Sequence, residues 1–252
     1  MRVTVLGSGT SVGVPTVGCE CETCRSNDPK DKRLRPSIMV ENDGYTIIVD
    51  TSSDFRQQAL RLGLRRVDAV LITHCHADHV FGLDDIRPFN FRQGPIPFFA
   101  NEIAWKGLRQ VFGYVFDPKT QRGGALPQLV PHTVMGAFCL FGLDITPIEI
   151  LHGRLQVLAY RFGNFAYATD CNFIPDESCE KLAGLDTLII DGLRYNTHST
   201  HMSIEQSLEY IERLKPKRAF LTHMNHDILH ARTSKELPEG VELAYDGLQF
   251  EV

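Results

Sequence analysis

Apolar runs of strand length, each closed by glycine or a polar residue, alternate along this chain with stretches in which apolar positions recur every three or four residues. The first kind predicts strands at the N-terminus (MRVTVLG), at Tyr45–Asp50, Val67–Thr73, Leu143–Ile150, Leu155–Gly163, Phe165–Asp170, Asp186–Asp191 and Arg218–His223. The second predicts helices over Asp54–Gly63, with Asp54 as cap and Gly63 as stop, over Asn101–Phe112, capped by Asn101, and over Ser203–Leu214, where Ser203 and Gln206 form a capping pair. The terminal VELAYDGLQFEV reads as a hairpin turning at Asp246–Gly247. Such alternation gives an α/β (α+β) chain of sheets layered with helices. Asp117–Pro131 is rich in loop-forming residues and reads as a flexible cover. No repeat and no shift in composition divides the chain, so residues 1–252 are taken as one domain.

Composition adds a few exclusions. The chain is 43% hydrophobic and 23% charged, which is ordinary for a globular protein. No apolar stretch is long enough for a membrane span, and the N-terminus lacks the apolar core of a cleavable signal, so a cytoplasmic location is the default expectation. The net charge of −5 argues against a long nucleic-acid footprint. Two basic stretches, Lys30–Arg35 and Arg61–Arg66, read as a solvated loop and a solvated helix end. Of seven cysteines, Cys75, Cys139, Cys171 and Cys179 are scattered and expected to be reduced thiols.

The chemistry concentrates in THCHADH, Thr73–His79, directly after a predicted buried strand. Alternate residues of an extended segment face one side, so His74 and His76 can reach one ion, while Asp78 and His79 can address a second. His152, Asp170 and His223 each stand where another predicted strand ends. Together these residues complete a two-metal set: His74, His76 and His152 for one ion, Asp78, His79 and His223 for the other. Asp170 would bridge them through its two oxygens. Zinc, manganese and iron all accept such ligands. Cys19, Cys21 and Cys24 (CECETC) offer three more thiolates, one short of a closed tetrahedral zinc site, with His226 or His230 as the fourth ligand.

H-x-H-x-D-H followed by His152, Asp170 and His223 resembles the metallo-β-lactamase superfamily over nearly the whole chain. The resemblance implies a four-layer αββα sandwich with the metals at one edge between two sheets. Cys75 stands where redox di-iron members carry a carboxylate, which favours the hydrolytic branch. The glycine turn GSGTSVGVP, the clustered cysteines with a distal histidine, and His201 in THSTHMS narrow the resemblance to the PhnP-like phosphodiesterase group of phosphonate use. That group implies a structural zinc at the cysteines, and hydrolysis of a small, often cyclic, ribose or nucleotide phosphodiester.

The expected mechanism has two divalent ions, zinc or manganese, ~3.5–4 Å apart activating a water for in-line attack on phosphorus, with Asp78 at the catalytic centre. His201 would protonate the leaving oxygen, with His198 as its competitor for that role. Asp50 would orient a ligand histidine or else cap a turn. Arg194 and Tyr195, near His201 in sequence, would contact a substrate phosphate. Family analogy also suggests a homodimer. The competing functions are tRNA 3′-end processing, thioester or lactam hydrolysis, and a non-catalytic scaffold; tRNA-processing relatives usually carry a long gripping arm, and no Gly/Pro/Lys-rich insertion matches it here.

Overall fold

The computed structural model describes residues 1–121 and 126–252. Six strands open the chain in one sheet: β1 (Arg2–Gly7), β2 (Ser37–Asn42), β3 (Tyr45–Val49), β4 (Ala69–Leu71), β5 (Ile96–Ala100) and β6 (Leu129–Thr133). A second sheet takes β7 (Phe138–Leu140), β8 (Leu143–His152), β9 (Leu155–Phe162), β10 (Phe165–Ala168), β11 (Thr187–Asp191), β12 (Arg218–Thr222) and β13 (Val241–Leu243). The last strand, β14 (Gln249–Glu251), returns to the first sheet beside β1. The orders are β14-β1-β2-β3-β4-β5-β6 and β13-β12-β11-β10-β9-β8-β7. Each sheet is mixed: β3 to β6 run parallel in the first, β10 to β13 in the second.

Three apolar clusters occupy three interfaces between four layers. In β3, Ile47 and Val49 face the other sheet while Ile48 faces the helices. In β10, Phe165 and Tyr167 point inward while Ala166 and Ala168 point outward. Both faces are therefore covered, which is why these strands read as unbroken apolar runs. Phe55, Phe89, Trp105 and Leu108 cover the first sheet from helices, and Cys179, Ile204 and Leu214 cover the second. The result is the four-layer αββα sandwich that the sequence resemblance implies. Truncating a ring between the sheets, such as Phe165 at 0% exposure, costs about 3–5 kcal/mol by the usual price of a buried aromatic.

The predicted helices form at Phe55–Leu62, Glu102–Val111 and Ile204–Leu214. Asn101 accepts from the Ala104 amide and Ser203 and Gln206 close a reciprocal capping box, as expected. Asp54 differs. It holds the cap position, but its carboxylate accepts from the Arg35 amide and guanidinium, because that charged donor outcompetes the helix amides. The closing hairpin is also corrected. β13 and β14 belong to opposite sheets, since the turn at Asp246–Gly247 crosses the sandwich instead of reversing within one sheet. Asp246 is fixed there by Ser8, the Leu34 amide and Arg61. Part of the expected cover, residues 122–125, lies outside the described residues, and its end from Leu129 is strand β6 paired with β5. The Lys30–Arg35 stretch is not simply solvated. Arg33 is fully buried, paired to Asp31 at 3.2 Å, and its guanidinium donates to the Asn225 and Ile228 carbonyls. Among the described residues no helix is long and apolar enough to cross a membrane.

Candidate metal centre

Strand ends build the site. Asp50 follows β3, His74 and His76 follow β4, His152 ends β8, Asp170 lies just past β10, Asp191 ends β11 and His223 follows β12. Asp50, Asp170 and His223 have positive φ (66°, 52° and 61°). That left-handed turn is costly for a residue with a side chain, and it bends each one away from its strand direction at the sheet edge. Asp78 and His79 sit on the short helix Ala77–Val80 immediately after His76. The sheets are joined here: the Leu158 amide donates to the Thr73 carbonyl, and the Tyr160 hydroxyl to that of Ile72. The glycine turn does not face open space. A Cβ at Gly7 or Gly9 would collide with backbone of Arg35 or Arg33, and Gly9 bridges to Met224, directly beyond His223.

The seven predicted ligand residues gather at this edge. Asp170 Oδ1 lies 2.8 Å from His223 Nε2, and its Oδ2 lies 3.2 Å from His79 Nε2 and 3.6 Å from His74 Nε2. Asp78 Oδ2 lies 3.4 Å from His79 Nε2 and 3.7 Å from His223 Nε2. His74 Nε2 faces His76 Nδ1 at 3.0 Å, and the His152 ring sits 5.7 and 5.2 Å from the His74 and His76 rings. Two of the resulting donor sets are Asp78–His79–Asp170–His223 and His74–His76–Asp170, with Asp170 in both. Buried Asp78 Oδ2, His79 Nε2 and His223 Nε2 have no hydrogen-bond partner among the described residues despite these short separations. Orphaned donors and acceptors at one point are expensive unless a cation takes them. The residues therefore fit a divalent metal.

The electrostatics agree. Burial opposes charge on His223, but Asp170 and Asp78 outweigh it and lift its imidazole to about 10. Burial likewise opposes charge on His79, while Asp170, Asp50 and Asp78 raise it well above the histidine range. Burial would raise the Asp170 carboxyl, yet His223 and His79 hold it well below the usual range. Burial, then the His79 charge, pushes His74 down. The pocket is thus a place where cationic charge is demanded. Asp50 accepts from His79 Nδ1 at 2.7 Å and from the Thr73 amide and hydroxyl, which turns His79 Nε2 toward the centre. His152 Nδ1 donates to the Thr200 carbonyl at 2.8 Å, leaving its Nε2 lone pair free.

His201 adjoins the centre. Its ring stacks 4.7 Å from His223 and lies 4.6 Å from His152, and its Nδ1 contacts Asp191 Oδ2 at 2.9 Å. Asp191 is the residue the sequence reading missed. Its signal was available, since it ends a buried strand as Asp170 does. Tyr195 is corrected: its hydroxyl is engaged by Thr233 and Glu236, so it is turned to that segment. Arg194 donates through Nε and Nη2 to the carbonyls of Asn196 and Thr197, bracing its own loop.

The cysteines form a second group. His226 Nδ1 faces Cys19, Cys21 and Cys24 Sγ at 3.1, 3.5 and 3.7 Å. A tetrahedral zinc with Zn–S near ~2.3 Å has ligand–ligand edges of about 3.6 Å, so the latter two match it. His230 is elsewhere, its amide donating to Asp31. Burial would raise the Cys21 thiol, but the Cys24 amide and neighbouring groups bring it to about 7, whereas burial drives Cys24 to about 11.

Comparison with known proteins accords with this geometry. The family described as beta-lactamase superfamily domain matches residues 45–224. A solved diphosphatase from the PhnP family is 45% identical, with a TM-score of 0.93, covering 100% of this chain and 97% of that one. The octanoyltransferase of Porphyromonas gingivalis is 40% identical over 99% of this chain, which spans only 51% of that longer protein. The coenzyme PQQ synthesis protein B of Methylobacterium nodulans is 38% identical over 76% of this chain and 73% of its own length. With a match of that extent and an edge of strand-end histidines and aspartates that fits a metal, the chain belongs to the beta-lactamase superfamily and is one of its metal-dependent hydrolases.

Proposed function

We propose that this hydrolase cleaves a phosphodiester of a small ribose or nucleotide, cyclic substrates included, with two divalent ions held by His74, His76, His152, Asp78, His79, His223 and the shared Asp170. The observation that carries the reading is the His201–Asp191 pair, set against the rings of His152 and His223. The bound ions would lower the pKa of a shared water and neutralise charge on phosphoryl oxygens. Asp191 orients His201 through Nδ1, so that Nε2–H faces away from it and can give a proton to a leaving alkoxide. Asp50 and the Thr200 carbonyl hold His79 and His152 in the tautomers that a metal needs. The cysteines and His226 would hold a structural zinc.

The diphosphatase neighbour supports a second reading, hydrolysis of a phosphoric anhydride at the same centre. The chain spans only about half of the octanoyltransferase, so acyl transfer is not carried over to it. The net charge of −5 weighs against tRNA as the main substrate.

A substrate panel tests the proposal. Ribose cyclic phosphate and bis(p-nitrophenyl) phosphate should be cleaved by the metal-loaded protein, and faster than a tRNA precursor or a thioester. His201→Ala should lower kcat by ~10²–10⁴ with metal content unchanged. Faster cleavage of tRNA, or loss of metal from that variant, contradicts the assignment; the latter would make His201 a ligand.

A further inference from the structure

The loop between β11 and the helix Ile204–Leu214 carries one more histidine, His198, whose ring lies 5.2 Å from that of His201. Its Nδ1 is within 3.3 Å of the Thr200 amide and 3.2 Å of the Thr200 hydroxyl. An amide can only donate, so Nδ1 is the accepting nitrogen, and the proton of the neutral ring is on Nε2. Burial, followed by the charges of His201 and Arg194, lowers the pKa of His198, which favours this neutral ring.

Thr200 itself cannot drift. Its carbonyl accepts from His152 Nδ1 at 2.8 Å. Its methyl packs on Gly153, where φ is +62° and a Cβ would come within 2.8 Å of Thr200 Cγ2. One residue therefore fixes two tautomers of opposite use: a free Nε2 lone pair on His152, at the centre, and an Nε2–H on His198, beside it. The Arg194 guanidinium is held by Nε and Nη2, and its Nη1 has no hydrogen-bond partner among the described residues. A neutral donor and a cation thus share one loop, next to His201 and outside the predicted ligand set.

We propose that His198 Nε2–H and Arg194 Nη1 form an anion subsite for a second phosphoryl group of the substrate, the one adjacent to the group being cleaved. The inference rests on the second reading above, anhydride hydrolysis at the same centre, and gives that reading its substrate class: compounds bearing two linked phosphoryl groups. Arginine suits phosphate geometry, and a hydrogen bond to a charged group is stronger than a neutral one.

Binding of methylenediphosphonate, which cannot be hydrolysed, tests the subsite on the metal-loaded protein without requiring turnover. Calorimetry should show it binding at least tenfold more tightly than orthophosphate. His198→Ala should remove about tenfold or more of that preference, with metal content and melting temperature unchanged. His198→Gln, which keeps a donor near Nε2, should restore most of it. The inference is overturned if the wild-type protein shows no preference, or if His198→Ala keeps it. A separate readout distinguishes this from failure of the broader reading: wild-type turnover of bis(p-nitrophenyl) phosphate, which has a single phosphoryl group, reports phosphoryl hydrolysis by itself, and His198→Ala should lose more on a two-phosphoryl substrate than on this one. An equal loss on one- and two-phosphoryl substrates would overturn the subsite while leaving phosphoryl hydrolysis standing.

Discussion

The histidine–aspartate centre and the cysteine group are both candidate metal sites, yet they are built in opposite ways. The first collects residues from position 74 to position 223 and exists only because strands of two sheets end at one edge. The second takes three ligands from one six-residue stretch and adds His226. They also differ in what they do without a cation. In the centre, His79 and His223 can take up protons and balance Asp50, Asp78 and Asp170, as their raised pKa values indicate. In the cysteine group, burial drives the Cys24 thiol up to about 11, so a thiolate at that position requires metal. The two sites meet in one segment. His223 serves the centre and His226 the cysteines, while Arg33 and the glycine turn hold the backbone between and around them. The comparison teaches that, on the proposed reading, metal at the centre would serve chemistry and metal at the cysteines architecture.

The sharpest way to break that division is Asp170→Ala. It should empty the centre and lower kcat/KM by roughly 10³-fold or more, while lowering the melting temperature less than loss of the cysteine site does. Metal analysis and thermal melts decide it, and a large loss of stability would erase the distinction. Next in size, Cys21→Ser should release one zinc per chain and cost on the order of a few kcal/mol in stability, with a smaller fall in activity transmitted through the His223 segment. If the metal count does not change, the cysteines are reduced thiols and nothing more. Asp50→Ala should weaken metal binding at the centre by about 10–100-fold, measurable by chelator competition, because His79 loses the partner that orients it.

The smallest effect separates the metal sites from the buried charge cluster beside them. Burial, then the charges of Lys30 and Arg33, depresses His230 to about 4. The unfolded chain, with histidine near its usual ~6.5, binds the proton that the folded chain refuses. Stability from this group is complete above pH 6.5 and is lost as pH falls toward 4. Urea denaturation at pH 7 and pH 5 should show the drop, and His230→Gln should reduce it.

These contrasts also explain what could be read in the sequence. Seven polar residues at the ends of apolar runs were legible because burial on both faces makes a strand conspicuous, and its polar terminus stands out against it. The cysteine spacing was legible for the opposite reason, as a purely local pattern. Crossing connections were not. The turn at Asp246–Gly247 has hairpin chemistry, yet it passes between sheets, because pairing of β14 with β1 and of β13 with β12 involves partners more distant in sequence than the turn itself. Charge placement was equally hidden. Arg33 sits in a basic run and is buried only because Asp31 and two distant carbonyls receive it. Asp191 obeyed the strand-end rule but had no ligand-like neighbours to draw notice, and Tyr195 lay near His201 in sequence while its hydroxyl found Glu236.

The most direct test is a count of metal atoms in the reconstituted protein, by inductively coupled plasma mass spectrometry, with anomalous diffraction to locate them. The account predicts three per chain: two between the sheets around position 170 and one among the cysteines, falling to two in Cys21→Ser. A protein that turns over phosphodiesters with no metal at the histidine–aspartate edge would contradict it.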